Sequence, residues 1–314
     1  MRGPREIAAK AQTSWRYKVA GAPISWGVSE LPEWGHRLTP ERVLGEMASI
    51  GLVATELGPP GYLAPDATSR SRLLDRFGLR LVGGFLAAVM HDASRSPLGE
   101  IRREAAVLAA SGAEVLVVAA TLPGETYDAH RSLSATEWTQ LGRRLREAAK
   151  AVAAHGMTLA FHPHAGTAVA DARDVHRLLE ATDVALCLDT GHLYLGGVEP
   201  AKLVRDAGGR VRHVHLKDVN VSVAERLRTD AITYAQAVRE GLYTPLGAGG
   251  LDIDAIFSRL QEAGYAGWYV LEQDTALTAE PEPNAGPAVA ARQSLDYFRR
   301  IAGAVHSNSA SKEE

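Results

Sequence analysis

The chain has one cysteine, Cys187, in 314 residues, so no internal disulfide can form and a bridge-held secreted scaffold is excluded. It has no uncharged apolar stretch near the roughly 20 residues that cross a bilayer, which excludes a helical membrane protein. Neither sign of charge dominates: 34 Lys and Arg face 37 Asp and Glu, a formal net charge of −3. Phosphate backbones demand clustered cations, so a nucleic-acid partner is excluded as well. Residues 1–18 are positively charged but carry no apolar run of signal-peptide length, and a cytoplasmic location is the expectation. No Pro/Gly/Ser-rich linker and no low-complexity tract divides the chain. The expected layout is an N-terminal tail over 1–17, one domain over 18–304 and a disordered polar tail over 305–314 (VHSNSASKEE). What remains is a single core acting on a small molecule. The helical segments show no apolar stripe that assigns an oligomeric state, which leaves a homo-oligomer open.

What is present is alternation. Eight β-branched or apolar runs read as strands: VAGAPISW (19–26), VATELG (53–58), LRLVGGF (79–85), AEVLVVAA (113–120), TLAFHPH (158–164), VALCLDT (184–190), VRHVHLKD (211–218) and WYVLEQD (268–274). Longer amphipathic runs separate them, with recognisable starts. Thr39-Pro40-Glu41 places a capping residue before a proline at the first helical position. Ser134 and Glu137 form a capping-box pattern at the head of a helix over 134–154. Gly51, Gly78, Gly112, Gly156 and Gly264 stand where a helix gives way to a strand. Eight strand–helix units over about 250 residues predict a closed (β/α)8 TIM barrel in a single domain. A doubly wound sheet is the alternative, but no GxGxxG follows the first strand, which leaves a dinucleotide-binding version without support.

A barrel of this kind carries its chemistry at the carboxyl ends of the strands and in the loops that follow. Those ends read Trp26, Glu56, His162 and His164, Asp189 and His192, His213 and His215 with Lys217, and Glu272 with Asp274. Strand side chains alternate with period two. His162 and His164 therefore share a face, as do His213, His215 and Lys217. Strands five to eight thus aim His, Asp, His and Glu at one mouth. Imidazole mixed with carboxylate suits a divalent ion such as Mn2+, Co2+ or Zn2+, and no thiolate is available. Each piece alone has a bland reading: a hydrogen-bonded HxH, an Asp that forms a turn, a solvated strand-end Glu. Four on consecutive strands at corresponding depth outweigh it. Glu56 either holds substrate hydroxyls or caps the barrel. The GAGG run (247–250) reads as a tight entry to a helix over 252–263 rather than a phosphate cradle, since no Lys or Arg follows within it.

GAPISWGVSELPEWG (21–35), FHPHAGT (161–167), LDTGHL (188–193), RHVHLKDV (212–219), GLYTPLGAGGLDID (241–254) and LEQD (271–274) closely resemble the inosose dehydratases of myo-inositol catabolism. These belong to the wider xylose-isomerase-like, sugar-phosphate isomerase/epimerase barrels. The resemblance spans roughly residues 19–300. It implies metal ligands at His162, Asp189, His215 and Glu272, with Mn2+ or Co2+ as the ion and Zn2+ or Mg2+ as further candidates. His162 stands where the wider group has Glu, which counts against a two-glutamate epimerase and leaves His162 and His164 as alternative ligands. The implied substrate is a cyclic keto-polyol, 2-keto-myo-inositol (scyllo-inosose), which loses water to give a diketone. In that reading His192 or His164 moves the proton and Glu272 is a ligand and candidate base. Lys217 either donates to the oxyanion or pairs structurally with Asp218 or Glu272. Glu56 and Trp26, joined by Trp34, line the polyol site. The rivals are an isomerase or epimerase, a keto-sugar lyase acting on glycosides, and a non-catalytic sugar-binding barrel, which the intact ligand set disfavours.

Overall fold

A computed structural model describes residues 17–31, 34–123, 127–128 and 130–310. Ten strands occur among them: β1 (Lys18–Gly21), β2 (Ala54–Glu56), β3 (Arg80–Ala88), β4 (Val115–Ala120), β5 (Thr158–Phe161), β6 (Ala185–Asp189), β7 (Val211–Leu216), β8 (Asp218–Val219), β9 (Tyr243–Thr244) and β10 (Trp268–Leu271). The helices are α1 (Pro40–Ile50), α2 (Ala67–Phe77), α3 (Leu98–Ala109), α4 (Ala135–Ala153), α5 (Ala172–Ala181), α6 (Thr190–Leu195), α7 (Pro200–Asp206), α8 (Val221–Arg228), α9 (Tyr234–Arg239), α10 (Ile253–Glu262) and α11 (Pro287–Ala310). Eight strands close a barrel in the order β1-β10-β7-β6-β5-β4-β3-β2, all parallel, while β8 and β9 form a separate antiparallel pair. Closure leaves no unpaired edge in the main sheet, and the expected (β/α)8 architecture is what the chain adopts.

Period two decides where everything goes. Leu116 and Val118 of β4, Leu159 and Phe161 of β5, Leu186 and Leu188 of β6, and Val214 and Leu216 of β7 face outward into one large core with the helices. The alternate residues point inward and are small or polar. Val115, Val117, Ala160 and Cys187 cluster inside the barrel, as do Ala20, Ala54, Val82 and Val270. The same alternation, at or within one residue of each strand's last position, sends His162, Asp189, His215 and Glu272 inward above this apolar floor.

The helix signals act as expected. Thr39 accepts from the Arg42 amide ahead of α1, and Ser134 and Glu137 form a reciprocal capping box on α4. Gly51 and Gly78 close α1 and α2 in the left-handed region, where a side chain is strained. The glycine run of 247–250 wraps an internal carboxylate: Gly247, Gly249 and Leu251 amides all donate to Asp218, at 2.9–3.0 Å. A Cβ at Gly249 would stand 2.3 Å from Asp218 Oδ1, so glycine is what permits this contact. Asp252 then caps α10.

Several strand ends differ from the sequence reading, β5 and β10 stopping at Phe161 and Leu271 and β3 running on to Ala88, and two of the differing boundaries have a clear physical cause. β1 stops at Gly21, and Pro23–Trp26 is a 3-10 turn rather than strand, because proline supplies no ladder donor and pre-sets a turning φ. α11 continues to Ala310, into the segment expected to be a disordered tail. A helix already seated on the barrel extends cheaply, since each added residue gains one backbone hydrogen bond without a new nucleus. Residues 1–16, most of the expected N-terminal tail, and 311–314 lie outside the described residues.

Candidate metal centre and active site

A cavity of about 260 Å3 opens at the carboxyl ends of the strands. Its volume is near the small end of ligand sites, enough for a single small ring. His162, His164, His215, Lys217 and Glu272 line its polar floor, while Ile24, Trp34, Phe85 and Tyr127 line its apolar wall. Asp189 lies deeper, fully buried at the end of β6, in register with His215 of β7.

Asp189 Oδ2 stands 3.7 Å from His162 Nε2, 3.6 Å from His215 Nδ1 and 3.4 Å from Lys217 Nζ. Glu272 Oε2 lies 3.3 Å from His215 Nδ1 and 2.8 Å from Lys217 Nζ. His162, Asp189 and His215 converge closely enough to share one ion. Asp189 Oδ2, His215 Nδ1 and His162 Nδ1 are buried without a hydrogen-bond partner, an arrangement that costs free energy unless something else satisfies them. Nitrogen and oxygen donors with excess negative charge fit a divalent cation.

The electrostatics say the same. Burial pushes the Asp189 carboxyl up, but the Lys217 charge, foremost among its neighbours, outweighs it and holds the group well below the usual carboxylate range. Burial also opposes a charged His215, yet Cys187 and the carboxylates of Glu272 and Glu56 hold it well above an ordinary imidazole. Lys217, equally buried, is held charged by Asp189, Asp274 and Glu272. Glu272 itself is raised to about 7 by burial, with the His215 and Lys217 charges pulling the other way. The pocket floor is thus a carboxylate cluster that recruits positive charge.

Glu56 works on the opposite side of His215. Its Oε1 accepts from His213 Nε2 at 2.9 Å and from His215 Nε2 at 3.3 Å. With Nε2 donating to Glu56, Nδ1 is the atom that faces Asp189 and Glu272, and it would present its lone pair once a bound cation displaces its proton. His164 is oriented by its own loop. Its Nδ1 donates to the Ala165 carbonyl at 2.7 Å, which leaves the lone pair on Nε2. Burial holds this imidazole down to about 4, so it is neutral at pH 7. Its ring stacks on His192 at 3.7 Å and lies tilted against Tyr127 at 4.5 Å between centroids. Burial keeps His162 and His192 neutral in the same way.

Several sequence expectations resolve differently. Trp26 does not line the cavity. The 3-10 turn carries it outward into the core, fully buried, where Nε1 donates to Glu46 of α1 at 2.8 Å. Trp34 takes the place at the wall, its Nε1 donating to the Thr275 carbonyl at 2.7 Å. His192 lies behind His164 rather than on the cavity surface, 1% exposed. Of the two partners considered for Lys217, Glu272 makes the ion pair, while Asp218 faces the glycine loop. Glu56 lines the cavity and also braces the two histidines of β7. Sequence reasoning missed Tyr127, Tyr234 and Tyr243. Tyr234 and Tyr243 belong to a second apolar cluster with Trp34, formed by α8, α9 and the β8–β9 pair. The long connection over 220–252 between strand seven and the last barrel helix was the signal for this addition.

Comparison with known proteins agrees with this architecture. A family profile described as xylose isomerase-like TIM barrel matches residues 45–301. An inosose dehydratase of Geobacillus kaustophilus is 34% identical over 299 residues, covering 91% of this chain and 94% of that protein. The rhizopine catabolism protein MocC of Rhizobium meliloti is 34% identical over 298 residues, covering 91% and 89%. Among solved structures, an L-ribulose 3-epimerase superposes with a TM-score of 0.70 at 15% identity, covering 95% of this chain and 98% of that one. A zinc-bound IOLI protein superposes at 0.65 and 14% identity, covering 91% and 98%. At such identity these two show the fold alone. The xylose isomerase-like profile across the barrel and the dehydratase identity along nearly the whole chain together place this protein in the inosose dehydratase family, as an enzyme of the hydro-lyase class.

Proposed function

We propose that the protein catalyses the metal-dependent dehydration of a cyclic keto-polyol, 2-keto-myo-inositol, to a trihydroxycyclohexane-dione in inositol catabolism. The observation that carries this reading is the buried convergence of His162, Asp189 and His215, with Glu272 against His215, beneath a cavity sized for one ring. These four residues would hold the ion, Mn2+ or Co2+. When bound, a divalent cation supplies the Lewis acidity that draws electron density from a ketone oxygen.

The chain's own groups do the rest. His164, neutral and with Nε2 as its free acceptor, takes the proton from the carbon beside the ketone. Lys217, held charged on the cavity floor, donates to the oxygen on which negative charge develops. The β-carbon then loses its hydroxyl, and the proton now on His164 is returned to it, so that water departs. One C–H and one C–O bond break, the enol that remains tautomerises to the diketone, and no oxidant is needed. His192, stacked on the His164 ring, and Tyr127, packed against it at a tilt, hold that ring in place. Trp34 offers an apolar face to the C–H side of the polyol. Glu30, Glu56, Glu100, Glu272 and Asp274 line the cavity, and Lys217 is the one Lys or Arg among the described residues that line it, a balance that favours a neutral polyol over a phosphorylated one.

Product mass settles the reaction. Mn2+-loaded protein incubated with scyllo-inosose in heavy water is expected to give a product lighter by one water, with chelator or Asp189→Ala abolishing the change. Deuterium uptake without water loss would instead mean isomerase or epimerase chemistry. No change of either kind would overturn the inosose assignment.

A further inference from the structure

The Lys217 ammonium carries three N–H donors and meets three carboxylates: Asp274 Oδ1 at 2.7 Å, Glu272 Oε2 at 2.8 Å and Asp189 Oδ2 at 3.4 Å. Two of those oxygens, Glu272 Oε2 and Asp189 Oδ2, are the same atoms that face His215 Nδ1. The ammonium and a divalent cation therefore compete for them. Asp274 pairs with the ammonium and not with His162 or His215, and it is itself held: Tyr234 OH donates to Asp274 Oδ2 at 2.8 Å. The backbone of Lys217 is pinned on both sides by Thr190 Oγ1, at 2.8 Å and 2.6 Å. With the backbone held there, the ammonium lies between Asp274 on one side and Asp189 and Glu272 on the other. The Tyr243 ring, 5.2 Å from Nζ, adds a weaker hold.

We propose that Asp274, steadied by Tyr234, is a positioning residue that draws the Lys217 ammonium away from Asp189 and Glu272, leaving their oxygens to the metal and the ammonium to the substrate. Nothing in the sequence pattern distinguishes this carboxylate from a fifth ligand; its separation from the imidazoles does. The inference rests on the metal centre proposed above.

Calorimetric titration with Mn2+ of four proteins tests it: the unaltered chain, Asp274→Asn, Lys217→Met and the double variant. Asp274→Asn is expected to weaken Mn2+ binding about tenfold, the scale of a lost orienting partner, and to lower kcat more than it changes KM. In the Lys217→Met background the same substitution is expected to change the affinity less than about twofold, because the competitor is gone. Tyr234→Phe, which removes the hydroxyl that donates to Asp274 and also meets Tyr243 OH at 3.2 Å but leaves the carboxylate in place, gives a smaller shift of the same sign and serves if Asp274→Asn fails to fold by circular dichroism. An unchanged affinity in both Asp274→Asn and Tyr234→Phe, or an equal loss for Asp274→Asn with and without Lys217, overturns the proposal and leaves the metal centre standing. An unaltered protein that binds no Mn2+ overturns both.

Discussion

Glu56→Gln separates two roles for a residue that touches both the cavity and the histidines. The substitution keeps the shape and one acceptor oxygen but removes the charge. In the folded protein that charge receives two hydrogen bonds, from His213 at 2.9 Å and from His215 at 3.3 Å, at a position 4% exposed. Hydrogen bonds to a charged group contribute about 1.5–3 kcal/mol against about 1 kcal/mol for neutral ones. Neutralising the carboxylate therefore costs about 1 kcal/mol at each, or about 2 kcal/mol in total, because both donors retain some acceptor. His215 also loses the negative charge that makes its ring a better donor to a cation. If most of that loss falls on metal binding, Mn2+ affinity drops by about thirtyfold. Calorimetric titration of the metal measures it directly, and steady-state kinetics at saturating Mn2+ measure what remains. The expected pattern is a weakened metal Kd with KM for the keto-polyol changed by less than about threefold. A KM that rises tenfold or more while metal affinity stays within twofold would refute the bracing role and make Glu56 a substrate-binding residue.

Trp26→Phe is expected to lower stability by about 2–3 kcal/mol, from the lost donor to Glu46 and the space left in a fully packed position, with KM unaffected. A thermal melt together with kinetics checks it, and an altered KM at unchanged Tm would return Trp26 to the site. Cys187 is buried, and burial raises its thiol to about 11, so iodoacetamide at pH 8 should leave the native protein unmodified and label it only after denaturation. Labelling of the native state at the denatured rate would contradict that burial. Glu137 is held down to about 2 by its pairing with Arg131 and the Ser134 amide. A folded pKa below the unfolded 4.5 means this contribution is full above about pH 4.5 and fades as pH falls toward 2. Glu137→Gln should therefore narrow the stability gap to the unaltered protein on acidification, as urea midpoints at pH 7 and pH 3 would show. A gap that widens at pH 3 would be the wrong sign.

Much of the fold was legible because its signals are local. The alternation of strand and amphipathic helix, the Thr39-Pro40 and Ser134/Glu137 starts, and the period-two placement of His213 with His215 all depend on neighbours in the chain. The gathering of His162, Asp189, His215 and Glu272 followed from the same alternation once a closed barrel was assumed. Trp26 and Trp34 show where this reading stops. Both are tryptophans near the end of the first strand, and nothing in their spacing tells which reaches the cavity. Pro23 turns the chain before Trp26, so the earlier tryptophan joins the core and the later one reaches the wall. His192 is similar: its sequence position three residues after Asp189 puts it on the first turn of α6, and only packing leaves His164, stacked on it, at the cavity wall.

The sequence by itself determined the barrel, the depth of four candidate ligands and the absence of a thiolate site, because strand periodicity and residue chemistry need no long-range information. Tertiary structure decided the pairings that give those residues their states. Glu56 reaches His213 and His215 across 157 and 159 residues. Lys217 divides its ammonium among carboxylates of β6 and of the segment after β10. Tyr127 from a turn after β4 and Tyr234 from the start of α9 meet over the same cavity. Such contacts are set by how the sheet closes and where the loops cross its mouth, and the free energy that selects them comes from burial shared by the whole chain rather than from any segment of it.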